Sequence, residues 1–215
     1  MKMENYDLLL PIGERCHMCA ALKDACPVPA HIFNYLGGIS LDIVYDSLLT
    51  GFKDFLLKEN LVVINEGDNK HYFVKDNMLD VRISHLFKTR LAPMDSIDKY
   101  YPILQYLMRK TRNKIIHSQS ILCLHATQTF SYSVDEFIYW SEKIRKIFPS
   151  KKIDFVFFSY NDAETSYHSI YSKNGITIYQ IARLPINECN WNDMYYWGNM
   201  PVLRMAVKDI FKCEN

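Results

Sequence analysis

The chain has 215 residues, 49% apolar and 23% charged, with 25 Lys and Arg against 24 Asp and Glu for a formal net charge of +1. That length buries a sizeable core as a single α/β domain over residues 1–215, and so even a charge balance excludes the basic excess of a nucleic-acid binder. No apolar run approaches the ~20 residues of a membrane span. The polar opening Met1-Lys2-Met3-Glu4-Asn5 and the brief Leu8-Leu9-Leu10 lack the apolar core of a signal peptide, which points to a cytoplasmic protein.

Tyr6–Ile12 reads as a short buried strand ending at Gly13, and Cys16–Ala25 as a helix stopped by Pro27-Val28-Pro29. Phe33–Gly38 is a loop. Ser40 caps a helix through Leu41, Val44, Leu48 and Leu49, with Gly51 beyond its end. Phe52–Leu57 is a short apolar piece; Leu61–Ile64, His71–Lys75 and Leu79–Ser84 are extended runs, the first two suited to a hairpin. A long helix is predicted over Ser96–Lys114, its basic end Arg109–Lys114 complementing the helix dipole. Ser120–His125 is a strand, and Ser133-Val134-Asp135-Glu136 is a capping box opening a helix through Phe148. Ile153–Ser159 and Gly175–Ala182 are apolar strands, followed by an aromatic loop at Trp191–Trp197 and a helix at Pro201–Lys212.

Four apolar strands interleaved with helices imply an α/β fold. The expected form is a mostly parallel central sheet with helices on both faces, Rossmann-like or flavodoxin-like, with a small extended insertion around residues 60–85. Ligands bind such sheets beyond the carboxyl ends of the strands, here Gly13–Cys16, His125–Thr129, Ser159–Asp162 and Ala182–Arg183.

Cys16 stands at the first of these places. A thiol in the first helical turn lies near unpaired N–H groups that favour thiolate and can hold an oxyanion, and Arg15 and His17 add positive charge. The bland alternative is a buried structural cysteine. Cys19 falls one turn further in and is expected to face the core. Cys16-His17-Met18-Cys19 also matches a redox pair, although the surrounding pattern is not that of a thioredoxin. As a zinc site with Cys26 or His31 its spacing on one helix suits a tetrahedral cage poorly, so no metal is expected. The six cysteines do not form a disulfide framework. A nucleophilic thiol needs a base, for which His31, His85 and His125 compete; His71, His117 and His168 read as surface residues.

The run Leu9-Leu10-Pro11-Ile12-Gly13-Glu14-Arg15-Cys16 resembles the opening of a bacterial family described as papain-like cysteine peptidases. Members of that family continue with a Pro-Phe-Asp-Trp-like segment, a helix ending in Phe-x-x-Phe, and a His in a Phe/Ile-x-His context. Ile32-Phe33-Asn34-Tyr35, Gly51-Phe52-Lys53-Asp54-Phe55-Leu56 and Ile83-Ser84-His85 stand at those places, and Ile121–Leu124 and Val134–Phe158 are also similar. The resemblance implies Cys16 as nucleophile and His85 as base, in a hydrolase acting on a carbonyl. Asn34 replaces the family's acidic residue and Tyr35 its Trp, so an amide would orient the base. Gly13, Arg15, His17, Tyr35 and His125 are the candidates for holding the oxyanion or the substrate. The expected partner is a small-molecule, peptide or glycan substrate, with no cofactor. A similar Gly-x-x-Cys turn in capsule and lipopolysaccharide biosynthesis proteins implies an alternative, acyl transfer to a surface glycan from acetyl-CoA or another acyl-CoA. A further alternative is an inactive module that binds glycan or protein through Trp140, Trp191, Tyr195, Tyr196 and Trp197.

Overall fold

Two hydrogen-bonded sheets organise the chain, each built from runs whose apolar residues alternate between two faces. The computed structural model describes residues 5–14, 16–23, 30–68, 70–127, 130–162, 164–183 and 199–211. In chain order the elements are β1 (Leu8–Pro11), α1 (His17–Lys23), a 3-10 turn (Ile32–Tyr35), β2 (Leu36–Gly37), α2 (Leu41–Leu49), a second 3-10 turn (Lys58–Asn60), β3 (Leu61–Asp68), β4 (His71–Asp76) and β5 (Val81–Ile83). There follow α3 (Pro93–His117), β6 (Ser120–Ala126), α4 (Val134–Ile147), β7 (Lys152–Asn161), β8 (Tyr167–Lys173), β9 (Ile176–Ala182) and α5 (Met200–Phe211).

The larger sheet has the order β1-β6-β7-β9-β8, with β1, β6, β7 and β9 parallel and β8 antiparallel to β9. Its parallel strands are covered on both faces, the environment in which near-continuous apolar runs are stable. On one face Leu8, Leu10, Ile121, Cys123, Phe155, Phe157, Ile176 and Ile178 pack with α2, α3, α4 and the smaller sheet. On the other, Leu122, Leu124, Ala126, Val156, Phe158 and Ile181 pack with α1 and α5. The α/β class and the two-sided covering follow the sequence expectation. The parallel strands run in the order β1-β6-β7-β9, with β1 at one edge of the sheet. Gly13 and Cys16 therefore follow an edge strand. Among the described residues no helix is long and apolar enough to cross a membrane.

Local chemistry sets the helix boundaries. Glu136 N–H donates to Ser133 Oγ at 3.2 Å, and Ser133 N–H donates to Glu136 Oε2 at 2.7 Å, so α4 opens on the predicted capping box. Pro93 occupies the first turn of α3, where its missing N–H is no loss, and Lys114 and His117 sit in the last turn.

The expected insertion around residues 60–85 is a four-stranded antiparallel sheet, β2-β5-β4-β3, which recruits Leu36 and Gly37 from the segment predicted as loop. A two-residue strand has no periodicity to read. Buried Asp76 accepts the N–H groups of Met78 at 2.9 Å and Leu79 at 3.1 Å, closing the turn that delivers β5. Strand β8 was not predicted either: it is an outer strand with no buried residue, so no apolar alternation marks it. The Trp191–Trp197 loop lies outside the described residues.

Candidate active site

The site begins where β1 ends. Ile12 N–H donates to Leu124 O at 2.8 Å, continuing the β1–β6 pairing up to the turn. A methyl group on Gly13 would stand 3.2 Å from Ala126 N and 3.4 Å from Met18 Cβ, so this glycine serves close approach of the turn to β6. Gly13→Ala is expected to destabilise the fold by about 1–3 kcal/mol through overpacking, measured as a lower urea midpoint with an unchanged slope. Glu14, 0% exposed, anchors the turn from inside: its carbonyl accepts Ile39 N–H at 3.4 Å and its Oε2 accepts Phe130 N–H at 3.3 Å. Arg15 lies outside the described residues. Cys16 follows, half-buried, and its carbonyl accepts the N–H of Ala20 at 3.1 Å, which makes it the residue that caps α1.

The second component comes from the smaller sheet. Leu36 pairs with Ile83 and Gly37 with Arg82 in antiparallel register, which brings Tyr35, at the end of the 3-10 turn that carries Asn34, beside Ser84. Ser84 N–H donates to Tyr35 O at 2.8 Å, extending the pairing. On its other edge β5 follows β4 from Asp76↔Val81 to Val74↔Ile83, and then slips. His71 faces Lys88, so three steps along β4 correspond to five along the partner segment. Ser84 and His85 lie in the extra length, a bulge of the kind that re-aims side chains beside functional sites. His85 carries the strain of it, with φ at +63°, a left-handed conformation uncommon for a residue with a side chain. The His71 ring packs edge-on against the His85 ring with centroids 5.7 Å apart, and His71 Nε2 meets Lys88 Nζ.

These two components and α5 enclose a cavity of about 500 Å³. Cys16, His17, Cys19 and Lys23 line it from α1 and its approach, Asn34, Tyr35 and His85 from the smaller sheet, and Met200 and Arg204 from α5. Among the described residues its charged lining side chains, Lys23 and Arg204, are both basic. Cys19 is 5% exposed, and its Sγ–H donates to Asn34 Oδ1 at 3.0 Å, tying α1 to the segment that carries Asn34. Burial first, and the neighbouring Cys16 second, push the Cys19 thiol up to about 12, against the pull of Lys23.

Of the three histidines in competition for the role of base, the cavity takes His85. His125 is turned to the other face of β6, fully buried among Tyr132, Phe137 and Phe157. Burial pulls it down to about 3, helped by His17 and opposed by Glu14. His31 is buried against Phe33 and is likewise held near about 3, by burial first and then by Lys114 and Lys110. Neither ring has a hydrogen-bond partner among the described residues. Position at a strand end made His125 a candidate, but did not reveal which face it takes. His17, a candidate for holding the oxyanion or the substrate, lines the same cavity and packs obliquely on Tyr160 with ring centroids 6.5 Å apart. His71, expected on the surface, supports His85. Cys19, Lys23, Met200 and Arg204 join the lining beyond the candidates that the sequence offers. Met200 and Arg204 carry no motif, and only the packing of α5 on α1 brings them in. Trp140 packs with Tyr45 and Tyr139 under Lys143, apart from the cavity lining, and Trp191, Tyr195, Tyr196 and Trp197 lie outside the described residues.

Among the described residues, no group of three or more His, Cys, Asp or Glu side chains is placed to hold a metal ion. No protein family, curated protein or solved structure matches the chain.

Proposed function

We propose that the chain is a cysteine-nucleophile enzyme acting on a carbonyl, a hydrolase of papain-like type. One observation carries the reading: Cys16 at the end of β1 shares a cavity with Asn34, Tyr35 and His85, which a separate sheet delivers through its own register and bulge. Thiol, imidazole and amide are the three groups such a reaction needs.

The Cys16 thiolate adds to the carbonyl carbon, forming a C–S bond while the carbonyl π electrons move to oxygen. The oxyanion collapses, the leaving group departs with a proton from the His85 imidazolium, and a thioester remains. Water then attacks the thioester as His85 takes its proton, the C–S bond breaks, and the acid is released with the thiolate restored. Asn34 and Tyr35 line the same cavity as His85, where an amide and a phenol are suited to holding its ring. Because Cys19 S–H already uses Asn34 Oδ1, the amide is fixed relative to α1 as well.

A specific feature favours a second reading, acyl transfer from an acyl-CoA. Among the described residues, the charged residues of the cavity lining, Lys23 and Arg204, are both basic, which suits a donor bearing phosphates. The first half-reaction is the same; a hydroxyl group replaces water in the second.

Iodoacetamide labelling across pH tests the nucleophile. Cys16 is expected to react faster below neutrality than a free thiol with a pKa of about 8.5, as read by mass spectrometry of the tryptic peptide 16–23. Labelling no faster than a free thiol removes the reading. Incubation with acetyl-CoA separates the two reactions. Acetylation of Cys16 with release of CoA supports transfer, and turnover of a simple activated ester without it supports hydrolysis.

A further inference from the structure

The Cys16-x-x-Cys19 spacing is not used by the carbonyl chemistry, and its two thiols differ in a directed way. Cys16 is half-buried on a cavity of about 500 Å³, large enough for a small hydroperoxide; Cys19 lines the same cavity one helical turn further in, but is only 5% exposed. They occupy the capping position and the third helical position of α1, side chains that meet at a helix start. The same two positions of α4 hold Ser133 Oγ 2.8 Å from Glu136 Oε2. Cys16 is close enough to raise the Cys19 thiol electrostatically. Cys19 is also held, since its S–H donates to Asn34 Oδ1 at 3.0 Å. The outer thiol is thus the one an oxidant reaches, and the inner one is kept protonated and in place beside it.

We infer that Cys16 and Cys19 are a reversible redox pair, closed to a disulfide by a hydroperoxide and reopened by a small thiol or dithiol. The Cys16 thiolate attacks the terminal oxygen of the hydroperoxide: an S–O bond forms, the O–O bond breaks, and the alkoxide or hydroxide that leaves takes a proton from water. Cys19 sulfur then attacks the Cys16 sulfenic acid, forming the S–S bond, and the departing hydroxide leaves as water with the Cys19 proton. Two thiols lose two electrons in all, and the hydroperoxide is reduced to an alcohol or water, plus water. Reduction runs through a mixed disulfide with the external thiol. Closure takes Cys16 sulfur away from any carbonyl and withdraws the S–H that Asn34 accepts, so one event acts on the thiol and on the segment beside His85. The pair uses only the sulfur chemistry of Cys16 and does not depend on the acyl reading.

Both cysteines fall in one tryptic peptide, 16–23, because Arg15 precedes it and Lys23 ends it. The full chain, reduced, freed of reductant and treated with hydrogen peroxide, is expected to lose two of its six thiols. Peptide 16–23 should become two hydrogens lighter, lose its reactivity toward iodoacetamide, and recover both on addition of dithiothreitol. In Cys19→Ser the same treatment should leave a sulfenic acid on Cys16, trapped by dimedone, which passes on to the sulfinic acid that dithiothreitol does not rescue. A peptide 16–23 that gains oxygen in the natural chain, or a link from either cysteine to the peptide containing Cys26, overturns the inference. The natural chain alone decides this, whether or not the variant folds. Failure of the acyl reading would show separately, as a reduced Cys16 that iodoacetamide labels no faster than a free thiol.

Discussion

Cys16→Ala is expected to abolish turnover of an activated ester or thioester, and removal of the His85 imidazole to lower it by a factor of about 10²–10⁴. The choice of replacement at position 85 matters. His85 holds φ at +63°, where Ala would be strained and the loss of activity would mix with a shift of the bulge. Asn adopts the left-handed region more readily than other residues with side chains, so His85→Asn removes the base and keeps the backbone. Cys16 is half-buried at the cavity and contributes little to the core, so Cys16→Ala should unfold at a temperature close to that of the natural chain. If the two residues act as one unit, Cys16→Ala/His85→Asn loses no more than Cys16→Ala alone, because effects within a catalytic unit do not add. Cys123→Ala controls for the loss of a thiol as such. It lies in the opposite core, its thiol raised to about 12 by burial, and should change stability without changing turnover per folded molecule. A His85→Asn variant that keeps turnover within a factor of about two would place the base elsewhere.

The parts legible in the sequence are those set by local chemistry. Strand β1, the turn at Gly13, the capping box at Ser133 and the apolar runs of β6, β7 and β9 each announce themselves within a few residues. Cys16, Asn34, Tyr35 and His85 were readable because their residue types bear chemistry and fall in short motifs; that they line one cavity is a matter of pairing distant in sequence. The β2–β5 register that brings Tyr35 beside Ser84, and the slip between Val74↔Ile83 and His71↔Lys88, have no local signature. Glu14 illustrates the opposite failure. A glutamate in a turn reads as solvated, yet it is fully buried and holds the turn through Phe130 and Ile39. His125 shows that period two along a strand assigns relative faces only. It shares a face with Ile121 and Cys123, and which face meets the ligand edge is decided by where α1 and α4 pack.

Acidification from about pH 7.5 to about pH 5 is expected to cost the fold about 4 kcal/mol through His31 and His125 alone, about 2 kcal/mol from each. Both are neutral in the folded protein and are held near about 3 by burial, whereas an unfolded histidine titrates at about 6.5. Below that value the unfolded chain binds protons that the folded chain refuses, so stability rises with pH across the window and falls as pH drops from about 6.5 toward about 3. Carboxylates such as Asp7 and Glu136, held below their ordinary values by backbone and side-chain hydrogen bonds, add a loss of the same sign. That loss begins only at pH values near the unfolded carboxylate range of about 4. The neighbours of the two rings do not overlap: His31 meets Phe33, Lys110 and Lys114, while His125 meets Tyr132, Phe137, Phe157, Glu14 and His17. Their contributions should therefore add. Against a total stability of about 5–15 kcal/mol typical of such domains, a loss of this size shows directly in urea midpoints measured at half-unit pH steps. His125→Phe fits an aromatic ring among the same three partners and removes one titrating group, so it should halve the slope between about pH 6.5 and about pH 5. An unchanged slope in that variant would mean that His125 is protonated in the folded protein, and the buried carboxylate of Glu14 is the group on hand to stabilise its charge.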